Sequence, residues 1–144
     1  MSLQGLQPGD FADLQWGMLT KPLVLLRLEG TALLIAAVVL YTLHGASWWL
    51  FALLLFAPDL GMLGYLGGNR IGATMYNLVH ITVLPVALGL TGFLTTTPML
   101  LSIALIWLAH IGLDRAVGYG LKLPEHFQHT HLGRIGNNRN RGEA

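Results

Sequence analysis

The sequence predicts an all-α polytopic membrane protein, a bundle of four transmembrane helices with both termini in the cytoplasm. Three observations carry this. Four apolar runs of about 20 residues, each long enough to cross a bilayer as a helix, follow one another with only short turns between them. Only 10% of residues are charged and the mean hydropathy is +0.59, against about 25% charged in soluble domains. The eight Lys and Arg residues fall on one side of the implied bundle.

The spans read as residues 22–43, 47–67, 72–94 and 98–119. Residues 1–21 then form a cytoplasmic segment, 22–122 the bundle and 123–144 a cytoplasmic tail. The first apolar run follows some twenty residues containing Asp10 and Asp13, not the short basic region of a cleaved signal, so it is expected to be retained. In a four-span topology Lys21, Arg27, Arg70, Arg115, Lys122, Arg134, Arg139 and Arg141 share one side, while the turns at His44–Ala46 and Thr95–Thr97 carry no basic residue. The positive-inside rule makes the basic side cytoplasmic. A formal net charge of +1 implies no nucleic-acid partner, and the absence of cysteine excludes disulfides, thiolate metal sites and a cysteine nucleophile.

Each span carries ionisable residues well inside its apolar run, and the depths agree. Glu29, Asp59, His80 and His110 lie about eight residues from the cytoplasmic ends of spans one to four, near ~12 Å deep at ~1.5 Å per residue. Asp114 follows His110 by four residues and projects from the same helix face, one turn nearer the cytoplasm. An ionisable residue at a helix centre costs about 2.5–3.5 kcal/mol on insertion scales, so these groups are expected to face one another or water. A cluster that only holds the bundle together is the plainer account. The outer halves of the helices, which carry no such group apart from His44 at a span end, give that account no support.

Two imidazoles with up to three carboxylates and no thiol suit Zn, Mn or non-haem Fe, and helical bundles build such sites from inward carboxylates and His spaced i, i+3 or i, i+4. Asp59, His80, His110 and Asp114 are the expected ligands of one or two divalent ions. Glu29 is expected as a further ligand or the general base. Tyr76 and Asn77 precede His80 by four and three residues and read as donors to the ligands or as substrate contacts. Pro58 inside span two is expected to kink or break the helix beside Asp59. Gly64 and Gly68 read as a helix-packing pair, Trp16, Trp48 and Trp49 as interfacial anchors, and Trp107 as bundle packing.

The blocks Ala57–Gly61 (Ala-Pro-Asp-Leu-Gly), Gly72–His80, Trp107–Lys122 and Phe127–Gly133 resemble a bacterial integral-membrane family known only as a domain of unknown function, over roughly residues 22–136. The resemblance implies a four-helix protein of the bacterial inner membrane and supplies no activity. More distantly, Pro58-Asp59, then His80, then His110 and Asp114 with Gly118, resemble inner-membrane proteins classed as metal-dependent hydrolases. Gly61 stands where that family tends to have a second acid and Asn69-Arg70 where it has a His-Arg pair, so this chain would bind metal with fewer ligands or in another geometry.

His126, His129 and His131 follow the last span, and alternation in an extended segment lets His129 and His131 close over the site as a lid or stay solvent-exposed. The sequence thus points to a metal-dependent enzyme, hydrolase-like, acting on a lipid or amphipathic substrate from the cytoplasmic leaflet. Arg27, Arg70 and Arg115 could meet an anionic head group or simply snorkel to the interface. The rival classes are a small proton- or cation-coupled transporter, which would need a homo-oligomer to form a path, and a structural or sensor subunit.

Overall fold

The computed structural model describes residues 22–121 and the backbone of residues 129–130 and 133–134. The chain is helical: α1 Pro22–His44, α2 Trp48–Leu54, a 3₁₀ helix Ala57–Gly67, α3 Asn69–His80, α4 Val83–Leu94 and α5 Pro98–Val117. Beyond them His129–Thr130 and Gly133–Arg134 pair as a two-residue antiparallel ladder. Four segments are long and apolar enough to cross a bilayer: Pro22–His44, Trp48–Gly67, Asn69–Leu94 and Pro98–Val117. Large apolar side chains such as Leu43, Leu53, Phe93 and Leu94 point outward, as lipid-facing surfaces require.

Spans two and three are not continuous helices, and proline explains both breaks. A proline ring clashes with the carbonyl four residues earlier and brings no N–H. Pro58 stops α2 at Leu54, and the chain resumes in the tighter 3₁₀ form. Pro85 acts likewise on Ile81, which adopts an extended conformation (ψ 139°) between α3 and α4. The Pro58 break matches the sequence expectation, whereas span three was expected as a single helix over 72–94. The carbonyls freed by these breaks need donors. Trp107 supplies one, its indole N–H donating to the Val79 carbonyl at 2.7 Å.

Helix α5 is the central element, packing along α1 on one side and α4 on the other, while the 3₁₀ helix lies against α3. Small residues let α1 and α5 approach closely: a Cβ on Gly30 would come within 2.5 Å of the Arg115 Cβ, and one on Gly112 within 2.6 Å of the Leu34 backbone nitrogen. The pair is antiparallel, since Gly30 meets Arg115 while at the far end the His44 Nε2–H donates to the Pro98 carbonyl at 3.2 Å. At that far end Tyr41 meets Trp48 and Phe51 edge-to-face, and those two rings pack tilted against each other. Hydroxyls of Thr31, Thr42, Thr74, Thr91 and Ser102 fold back onto the carbonyl four residues earlier, which satisfies them without water. Gly118, left-handed at φ 95°, ends α5: its N–H bonds the Arg115 carbonyl and that of Tyr119 the Asp114 carbonyl.

Candidate metal centre

The breaks and the central helix place four side chains together. Asp59 stands in the first turn of the 3₁₀ helix, directly after Pro58. His80 is the last residue of α3, immediately before the extended Ile81. His110 and Asp114 come from one face of α5. Each offers a ligand atom, and the four atoms lie within 4.8 Å of one another.

The distances discriminate between hydrogen bonding and shared coordination. His80 Nε2 is 3.6 Å from Asp59 Oδ1 and 3.4 Å from Asp114 Oδ2, and His110 Nε2 is 3.5 and 3.7 Å from the same two atoms. Good N–H···O bonds lie at about 2.7–3.2 Å. All four His–Asp separations exceed that. A tetrahedral ion with ligands at about 2.0–2.1 Å would hold its donors about 3.3 Å apart, and the four His–Asp separations of 3.4–3.7 Å lie near that, although the set as a whole spans 4.8 Å.

The tautomer of His80 agrees. Its Nδ1 lies 2.8 Å from the Tyr76 carbonyl, which can only accept, so Nδ1 carries the proton and Nε2 presents a lone pair to the cluster. His80 Nε2 is 3.1 Å from His110 Nε2. If that contact were a hydrogen bond, His110 would spend its Nε2–H on His80, and neither imidazole would donate to a carboxylate. A shared cation would resolve this by accepting both nitrogen lone pairs and both carboxylates. Among the described residues, His110 Nδ1 is buried without a hydrogen-bond partner. Phe56 meets the His110 ring edge-on.

Tyr76 supports two of the four. Its ring stacks on His80 with centroids 3.7 Å apart, and its hydroxyl donates to Asp114 Oδ2 at 3.2 Å. His80 and His110 are buried and Asp114 nearly so, whereas the side chain of Asp59 is 37% exposed. A cavity of about 160 Å³ opens beside the cluster, lined by Tyr76, His80, Asp114, Arg115, Tyr119 and Gly120 among others.

The expected residues fall into two groups. Asp59, His80, His110 and Asp114 converge, with Tyr76 bonded to them and Arg115 on the cavity wall. Glu29 does not join them: it is exposed, because Gly30 is the residue that α1 turns toward α5 and the preceding position points about 100° away. The structure thus gives no support to Glu29 as ligand or base. Asn77 is half-buried and does not line the cavity. Arg27 lies against Gly118 at the end of α5, its guanidinium 2.7 Å from where a Cβ would stand. His131 falls outside the described residues and His129 is described by its backbone alone, so the lid expectation meets no observation. Sequence reading missed Tyr119 and Gly120 at the cavity and the break at Ile81. Pro85, four residues on, was the signal for the break.

No curated protein and no solved structure matches the chain. The resemblance to metal-dependent hydrolases is therefore without support from these comparisons. The model of the family described as Domain of unknown function (DUF4260) matches residues 23–135, most of the sequence and all four apolar spans, and the chain belongs to that family.

Proposed function

We propose that the protein is a metal-dependent enzyme of the bacterial inner membrane, hydrolase-like, acting on a lipid or amphipathic substrate from the cytoplasmic leaflet, with both termini cytoplasmic. The observation that supports this best is the convergence of four donor atoms within 4.8 Å of one another, with four His–Asp separations of 3.4–3.7 Å that suit one shared divalent ion and are too long for good His–Asp hydrogen bonds. Zn, Fe or Mn fits two imidazoles and two carboxylates. An ion there would supply Lewis-acid polarisation of an oxygen.

The chain's own residues divide the remaining work. His80, His110 and Asp114, the least exposed, hold position. Tyr76 fixes His80 through its carbonyl and ring and Asp114 through its hydroxyl. Asp59 is the most exposed and sits on the broken span, so it is the group that can yield its place to substrate or take up a proton. The apolar bundle behind His110 excludes water.

Elemental analysis of the purified protein tests this reading. About one Zn, Fe or Mn per chain, lost in His80→Ala and His110→Ala, is expected. Protein that stays metal-free after growth and purification with these metals supplied would return the cluster to a proton relay or a structural role.

A further inference from the structure

One cavity opens on the cluster and one apolar groove is lined by chain neighbours of Asp59 and His80, and their chemistry differs. The first is the 160 Å³ cavity, reached through His80, Asp114 and Tyr76 and bounded by the half-buried Arg115. Among the described residues neither Arg115 nor Arg27, whose guanidinium lies at nearby Gly118, is in an ion pair. Were one divalent ion to offset the two carboxylates, the charge on the cavity wall would be that of Arg115, with Arg27 at Gly118 and the exposed Glu29 beside Gly30 further out. At about 160 Å³ the cavity is also smaller than the roughly 300–1,000 Å³ of pockets that enclose a whole small molecule, and it fits only part of one.

The second opening is an apolar groove of about 390 Å³ between the 3₁₀ helix, α3 and α5. Pro58 and Leu60 line it on either side of Asp59, Val79 lines it next to His80, and Met75, Ile103 and Trp107 complete its walls. Leu60 and Met75 are exposed, so the groove is open laterally at a surface that the apolar spans give to lipid hydrocarbon.

We propose that the substrate is an anionic amphiphile of the bilayer. Its charged head occupies the cavity at Arg115 and its chain lies in the groove beside Trp107, so that the group joining them passes over Asp59, His80 and Asp114. This rests on the cluster being the reaction centre, but the lipid site itself can be tested without any reaction.

Trp107 serves as the reporter. A variant in which Trp16, Trp48 and Trp49 are replaced by Phe keeps Trp107 as its sole indole. It is reconstituted in phosphatidylcholine vesicles doped with a minor fraction of dibrominated phosphatidylglycerol or, separately, dibrominated phosphatidylcholine. At equal doping the anionic lipid should occupy the groove about fivefold more tightly and quench Trp107 more, the factor corresponding to ~1 kcal/mol for one Arg near an anionic head group. Arg115→Gln should equalise the two lipids, Arg115→Lys should restore the preference, and Ala57→Phe, which fills the groove, should weaken quenching by both. Equal quenching in the parent protein would mean annular lipid only and would overturn the proposal. Competition by inorganic phosphate would assign the cavity to a soluble anion and overturn it as well. Metal is measured in the same samples: metal present without lipid preference defeats this inference alone, and lipid preference without metal defeats the enzymatic reading while the lipid site stands.

Discussion

His80 shows how a single imidazole is oriented toward the cluster. The Tyr76 carbonyl accepts a hydrogen bond from its Nδ1–H and the Tyr76 ring packs on its face, so the Nε2 lone pair is fixed in direction. Tyr76→Phe should leave metal stoichiometry intact while weakening affinity about 10–100-fold, the usual cost of losing a hydrogen bond to a ligand, as read by chelator competition. Undiminished affinity would show that the hydroxyl does not tension Asp114. His110→Ala removes a proposed ligand and should reduce bound metal to background. It should also lower the Tm in detergent, because two carboxylates then share an interior with one imidazole. At this scale the sequence was informative where residue type and helical spacing act together. His110 and Asp114 at i, i+4, and Tyr76 four before His80, end on one site. Depth alone was not enough for Glu29, because depth fixes height in the bundle and leaves the direction around the helix open; Gly30 takes the buried direction.

At the scale of elements, the site depends on helices that stop. Asp59 follows the Pro58 break and His80 precedes the Pro85 break, and each side chain gains a direction that a continuous helix would not give it. Pro85→Ala restores an N–H to the Ile81 carbonyl and removes the ring clash, so α3 and α4 can join. Metal affinity should then fall, with helix content by circular dichroism unchanged or higher. Full retention of metal would show that the break does not position His80. The α1–α5 contact has its own test. Gly112→Ala places a methyl against the Leu34 backbone, which cannot move aside as a side chain can, and should cost about 1–3 kcal/mol. Gly89→Ala, whose new methyl meets only the Ala104 Cβ at 3.2 Å, should cost less in the same thermal unfolding assay. The number and order of spans were legible from hydropathy because lipid imposes a strict length. The 3₁₀ winding of Ala57–Gly67 was not, since hydropathy cannot tell one helical pitch from another.

Across the whole molecule, one central helix organises the rest. Helix α5 carries two of the four cluster residues, contacts both α1 and α4, and ends in the Gly118 turn that closes the cavity wall. The polar groups gather toward the end that carries Arg27, Arg70 and Arg115, while the opposite end is aromatic and threonine-rich. If basic residues set orientation, reporter fusions after residue 144 and at Gly68 should read cytoplasmic and a fusion at Thr96 external. A reversed pattern would place the cavity on the outer face. The account as a whole depends on Asp59, His80, His110 and Asp114, drawn from three spans, sharing one ion. Metal-edge X-ray absorption of the purified protein tests this most directly. Two imidazole scattering patterns with the remaining ligands oxygen at about 2.0–2.2 Å are expected. An ion surrounded by oxygen alone, or no bound metal in protein purified with metal supplied, would contradict it.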